Sequence, residues 1–206
     1  MQRRTTAKWM ILSFGLGVAI VLASRLGAPP GDRLAIALRA TARWSFLLFW
    51  TASAGSALSA LFGSRFKPLA QHARDFGLAF ASAHLVHLGL VAWGYIIAAG
   101  PHQTAPMLFV IAVVWTYLLA FLSFNRLSAV LNPALLKILR TIGVEYISFA
   151  FLFDFARNPF ETGVRHFVAY FPFLALATAG PLLRFAAAWK RRSDATSARP
   201  SLQRAV

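Results

Sequence analysis

The chain of 206 residues contains no cysteine. This absence excludes disulfide bonds, thiolate-ligated haem and iron–sulfur clusters, because each of them needs a cysteine sulfur. Charged residues are also scarce, at 13% of the chain, whereas 58% of the residues are hydrophobic. This composition excludes an ordinary soluble domain and is typical of an integral membrane protein.

Long polar segments are missing as well. Apolar stretches of about 20 residues, the length that a helix needs to cross a bilayer, alternate with short polar connections. The six stretches are Trp9–Ser24, Trp44–Gly63, Phe76–Ala99, Pro106–Phe124, Ile138–Ala156 and Phe167–Trp189. We therefore expect an all-α, integral membrane bundle of six transmembrane helices over residues 1–189. The remaining segment, residues 190–206, is rich in Arg, Ser and Ala and is predicted to be a basic, disordered cytoplasmic tail.

The positive charges indicate how the bundle is oriented. Of the 21 Lys and Arg residues, fourteen lie on one side of the predicted spans and six on the other, with Arg184 inside the last span. The positive-inside rule places both termini in the cytoplasm, as in a bacterial-type inner membrane. Because the cations flank apolar spans, we expect a lipid bilayer and not nucleic acid as the partner of this charge. In an alternative interpretation the first stretch is a signal peptide, which would leave five spans.

Two histidines, His84 and His87, lie in the middle of the third apolar stretch. Placing an imidazole in hydrocarbon costs free energy, so the residue is rarely retained unless its ring binds a ligand or pairs with another group. Haem iron is a common metal for such an imidazole to bind. Residues three apart share a helix face, so these two rings cannot hold one iron from opposite sides. His166, at the start of the sixth stretch, is the candidate for a second ligand.

Other polar residues fall inside the predicted spans. The rise of a helix places Glu145 level with His84, and Arg184 enters from the same side. We therefore expect His84, Glu145 and Arg184 to form one buried polar network, with His84 bonded to Glu145 and Arg184 bonded to either of them, and we assign Arg140 to the same network.

Several motifs in order resemble the ferric reductase-like transmembrane domain family. The third stretch carries Arg74-Asp-Phe-Gly-Leu followed by His84-Leu-Val-His87, and Arg43-Trp44-Ser45 and Leu139-Arg140-Thr-Ile-Gly143 match before and after it. The resemblance covers about residues 40–187. It implies a bundle that carries electrons through haem b and is related to ferric reductases, NADPH oxidases and the haem-binding subunit of a bacterial methionine sulfoxide reductase system. It further implies iron ligands among His84, His87 and His166, and haem propionates paired with Arg43, Arg74 or Arg184.

The chain departs from the family at one position, because Arg140 stands where the fifth helix of the family has a ligating histidine. Three functions therefore stay open. The first is a haem-binding electron-transfer subunit, part of an oxidoreductase, that accepts electrons from quinol or a partner flavoprotein, with quinone or flavin as further cofactors. The second is a haem-free accessory or assembly subunit, and the third is a small proton-coupled transporter that uses His84, His87 and Glu145. No catalytic residue is predicted, and whether the chain is itself an enzyme stays open.

Overall fold

The computed structural model describes residues 2–97, 107–123, 132–157 and 164–203, and every element within these ranges is a helix. The prediction of an all-α fold is thus confirmed. The helices are α1 (Gln2–Gly27), α2 (Arg33–Phe62), a 3₁₀ helix (Ser64–Phe66), α3 (Lys67–Gln71), α4 (Ala73–Ile97), α5 (Met107–Leu122), α6 (Pro133–Arg157) and α7 (Val164–Gln203). The predicted span ends at Ala99, Pro106 and Phe124 lie outside the described residues.

Four helices are long and apolar enough to cross a membrane. They are Thr5–Gly27 in α1, Arg33–Phe62, Ala73–Ile97 and Phe167–Asp194 in α7. Helix α5 is a shorter apolar helix, and α6 carries Lys137, Arg140, Glu145 and Asp154 along its length. Large apolar side chains such as Leu85, Phe121 and Phe185 are exposed on the outside of the bundle. Long apolar helices with exposed apolar faces indicate a multi-pass membrane protein.

Hydrogen bonds between helices show the relative directions of three pairs of long helices. The start of α1 meets the start of α4, where the Thr6 hydroxyl donates to Asp75 Oδ1 at 2.6 Å. The end of α5 meets the start of α4, where Arg74 Nε donates to the Ser123 carbonyl at 3.0 Å. Helices α2 and α7 run in parallel, since Trp50 Nε1 donates to the Leu176 carbonyl at 2.8 Å and, further along both helices, Lys190 Nζ reaches the Ala60 carbonyl at 3.1 Å.

Two helix ends differ clearly from the predicted spans. Helix α2 begins at Arg33 and not near Trp44, because Pro29, Pro30 and Gly31 lie before it and neither proline nor glycine follows until Gly55. Helix α7 continues past Trp189 to Gln203, through the segment that the composition predicts to be disordered. Ala, Arg and Lys favour helix, which accounts for this continuation.

Helix α2 lies at the centre of the bundle and packs on α1, α4 and α7. Its buried Phe46 side chain contacts aromatic rings from α6 and α7, with ring centroids 4.9 Å from Phe155 and 6.2 Å from Phe173. Phe49 of the same helix contacts Phe80 of α4 at 5.3 Å. Aromatic rings packed at such angles and distances stabilise a core beyond the area that they bury. This aromatic core forms one wall of the cavity described next.

Candidate functional site

A cavity of about 520 Å³ lies between α2, α4, α5 and α6. Its volume falls within the range of about 300–1,000 Å³ that is typical of small-molecule sites. One face of α4, from Phe80 to Tyr95, forms a wall of it, and this face extends about 22 Å along the helix axis. Tyr95, at the far end of this wall, is 43% exposed.

The cavity exists because α5 packs mainly on α6 and only lightly on α4. Near the Ser123 end of α5, the Tyr117 hydroxyl donates to the Ala81 carbonyl of α4 at 3.4 Å. Towards the other end of α5, Phe109 and Val113 face the cavity. Helix α1 packs on a different face of α4, where Ser82 donates to the Met10 carbonyl at 3.0 Å. The histidine face of α4 is therefore left to the cavity.

Both histidines of α4 line this cavity, as their spacing predicts. The rings of Phe80, His84 and His87 form a column, with centroids 5.3 Å apart for the first pair and 5.4 Å apart for the second. The planes of the two imidazoles differ by 25°. Since the rings are stacked on one side of the cavity, they do not approach a shared point from opposite directions.

The two imidazoles differ in their hydrogen bonds. His87 Nδ1 lies 3.1 Å from the hydroxyl of Thr41 on α2. His84 Nδ1 is buried and has no hydrogen-bond partner among the described residues. A buried polar atom without a partner is uncommon and often marks a functional position.

Positive charge enters the cavity from α2. Arg39 and Arg43, one helical turn apart, both line it, and the guanidinium of Arg43 lies 4.9 Å from the ring centroid of Tyr170. Asp154 of α6 also lines the cavity. Most of the other lining residues are aliphatic or aromatic, so the cavity is apolar with a few charged and imidazole groups.

The structure places other predicted site residues away from the cavity lining. Arg74 bonds to the Ser123 carbonyl and joins α4 to α5. Arg184 donates two hydrogen bonds to the Glu145 carboxylate, at 2.8 and 2.7 Å, and a third to Ser148 at 2.9 Å. Arg140 is exposed on α6. His166 belongs to the first turn of α7, but its side chain lies outside the described residues.

The expected network of His84 with Glu145 is therefore not formed. The Glu145 side chain is 48% exposed and bonds to Arg184, and Glu145 does not line the cavity that contains His84. Equal depth along two helices predicts contact only when both side chains point at each other, and the sequence does not give the rotation of α6 about its axis.

Sequence reasoning missed Arg39 and Thr41 because hydropathy assigns both to a connection. A signal was present, since Leu34, Leu38, Thr41, Ser45 and Leu48 recur at intervals of three or four residues across the predicted start of the helix. This periodicity continues the face of α2 that packs on α4.

In the described part of the chain, no group of three or more His, Asp or Glu residues is arranged to hold a metal ion. Comparison with known proteins finds no matching family model, no matching curated protein and no matching solved structure. The function must therefore be argued from the cavity and its residues.

Proposed function

We propose that this protein is a six-span, membrane-embedded electron-transfer protein that binds haem b in the cavity beside His84 and His87. One observation carries the proposal, namely that two imidazoles from the middle of a membrane-length helix line one largely apolar cavity. Imidazole in hydrocarbon is costly and is retained mainly for ligand binding or proton chemistry.

The donor set of the cavity suits haem. When bound, haem supplies a one-electron carrier that moves between its ferric and ferrous forms. Because His87 Nδ1 is directed at Thr41, Nε2 is the ring nitrogen that remains to hold the iron. Arg43 and Arg39 line the same cavity and would bind the propionates, since guanidinium groups pair well with carboxylates. The rings of Phe80 and Phe151 exclude water from the same space.

We further propose that the helices cross a bacterial-type inner membrane six times, with both termini in the cytoplasm. The alternating directions of the described helices and the uneven distribution of Lys and Arg support this topology. We assign the electron donor to quinol or to a partner flavoprotein. The resemblance of residues 40–187 to the ferric reductase-like family favours such a donor.

The test is a reduced-minus-oxidised absorption spectrum of protein purified in mild detergent from haem-replete cells. We expect sharp b-type bands at close to one haem per chain. The double variant His84→Ala/His87→Ala should lose the Soret band, whereas His72→Ala, at a histidine outside the cavity lining, should keep it. Circular dichroism of each variant distinguishes loss of haem from loss of fold.

Normal haem content in the double variant would overturn the assignment of the site. A featureless spectrum from folded wild-type protein would overturn haem binding altogether. That second result favours the haem-free accessory subunit, which the arginine at position 140 also favours.

A further inference from the structure

The hydrogen bond between Thr41 and His87 assigns different roles to the two histidines of the cavity. We propose that Thr41 is a positioning residue that holds His87 with its proton on Nδ1, so that His87 and not His84 presents a bare Nε2 to the iron. This inference rests on the proposed haem site. It also makes a claim about the protein without haem, and the two can therefore be tested separately.

The direction of the hydrogen bond between Thr41 and His87 is inferred from the single proton of the Thr41 hydroxyl. Its hydroxyl is buried, with the residue 1% exposed, and lies 2.8 Å from the Ala37 carbonyl and 3.2 Å from the Leu38 carbonyl. A hydroxyl has one proton to donate, whereas a carbonyl can only accept. The Ala37 carbonyl is the nearer acceptor, so we assign the proton of Thr41 to the backbone of α2, and its oxygen then offers lone pairs to His87 Nδ1 at 3.1 Å.

Because Thr41 accepts this bond, His87 Nδ1 must carry a proton. In a neutral imidazole the second nitrogen, Nε2, then has a free lone pair. Histidines that bind metals usually donate their other ring proton to an oxygen, and this bond fixes the orientation of the ring and raises its basicity. Thr41 provides such an oxygen from the neighbouring helix.

His84 lacks an equivalent bond. Its Nδ1 is buried and has no partner among the described residues, so no hydrogen bond to that atom fixes the position of its proton. Its ring is stacked between Phe80 and His87. We therefore assign to His84 a place in the wall of the site and not the coordination of iron.

The first measurement uses the protein without haem, labelled with nitrogen-15 in its histidines. Long-range proton–nitrogen NMR correlations distinguish a ring protonated on Nδ1 from one protonated on Nε2, and the His87→Ala variant assigns the signals. We expect His87 to be protonated on Nδ1 in the wild type and in Thr41→Ser. Thr41→Val, which keeps the shape but loses the oxygen, should change that signal. A His87 ring protonated on Nε2 in the wild type would overturn the inference, whether or not the protein binds haem.

The second measurement is haem affinity together with the midpoint potential of the bound haem. Loss of such a supporting bond typically weakens metal binding by about 10- to 100-fold, and we expect a loss of this size in Thr41→Val. The potential should rise, because a less basic imidazole stabilises the ferric form less. Thr41→Ser should restore both values.

The matched control is Thr51→Val. Thr51 lies on the same helix and donates to the carbonyl four residues before it at 2.8 Å, as Thr41 does, but its hydroxyl has no histidine partner among the described residues. It should keep wild-type affinity and potential. Equal haem affinity and potential in Thr41→Val and Thr51→Val would overturn the role of Thr41. An absence of haem from folded wild-type protein would instead overturn the proposed function and leave the NMR result to decide the Thr41–His87 bond.

Discussion

Substitution of Gly143 by alanine should separate α5 from α6. A Cβ atom at this position would lie 2.8 Å from Trp115 Cε3 and 2.9 Å from Leu119 Cδ1. Carbon atoms in good contact are about 3.5 Å or more apart, so the Trp115 ring must move by about 0.7 Å. The end of Leu119 can rotate away, but a tryptophan ring in a packed interface is rigid. We therefore expect the two helix backbones to move apart.

The size of the effect follows from two opposing contributions. Forcing an extra carbon into a packed interface costs about 1–3 kcal/mol. Replacing glycine by alanine within a helix recovers about 0.5–1 kcal/mol of conformational free energy. The free energy of unfolding should therefore fall by about 0–2.5 kcal/mol, and it should lie about 1–3 kcal/mol below that of a glycine-to-alanine change without a clash. Haem affinity should fall as well, because Val113, close to Trp115 on α5, lines the cavity.

Unfolding of the haem-free protein in mixed detergent micelles with increasing sodium dodecyl sulfate, followed by circular dichroism, measures this difference. Gly89→Ala is the matched control, since a Cβ at Gly89 on α4 meets no atom within 4 Å. The free energy of unfolding of Gly89→Ala should rise by the conformational contribution of a helical alanine, because no steric clash opposes it. If Gly143→Ala were as stable as Gly89→Ala, the close approach of α5 and α6 would not exist as described.

Two further predictions concern the Glu145–Arg184 pair and the topology. Glu145→Ala should lower the free energy of unfolding by about 1 kcal/mol, because it leaves a guanidinium whose side chain is 16% exposed without its carboxylate, while the 48% exposure of Glu145 weakens the pair. Arg184→Met in the same chain should restore most of that loss, and strictly additive losses in the double-mutant cycle would contradict the pairing. A reporter fused after Val206 and one fused before Met1 should both give a cytoplasmic signal, since Lys190 of α7 lies beside Ala60 near the end of α2, and α1 and α4 start together. Readouts from opposite sides of the membrane would contradict a six-span bundle.

The sequence predicts the centres of the helices well and their ends poorly. Hydropathy detects runs of apolar residues, and each of the six predicted stretches lies largely within one described helix. It does not detect the polar turns that continue such a run. The outer part of α2 carries Arg39, Thr41 and Arg43 and therefore has the composition of a loop, although no helix-breaking residue interrupts it. Arg39 and Arg43 line the cavity, and Thr41 is bonded to His87, which lines it.

The hydrogen-bond partners of the buried polar residues are harder to predict from the sequence than their depth in the membrane. The depth of a residue in the membrane follows from counting along a helix, and His84 and Glu145 were placed level by that count. Which side of the helix a residue occupies relative to its neighbours depends on how the whole bundle packs. Arg184 contacts Glu145 because α7 lies against α6, and His84 faces the cavity because α1 occupies another face of α4. A single sequence does not give this arrangement.

The space between α4 and α5 that forms the cavity also has a physical cause. Within a bilayer, lipid tails are as apolar as a helix surface, so the hydrophobic effect does not press helices together. Close contacts and interhelical hydrogen bonds then decide where helices meet. Helix α5 is held to α4 near Ser123 and Tyr117 and to α6 at Gly143. Beyond these contacts α4 and α5 diverge, and the space between them contains His84 and His87. The contacts that hold α5 at one end thus leave the cavity at the other, so substitutions at Gly143 and at the histidines should alter the same property, the affinity of the cavity for the haem that we propose it binds.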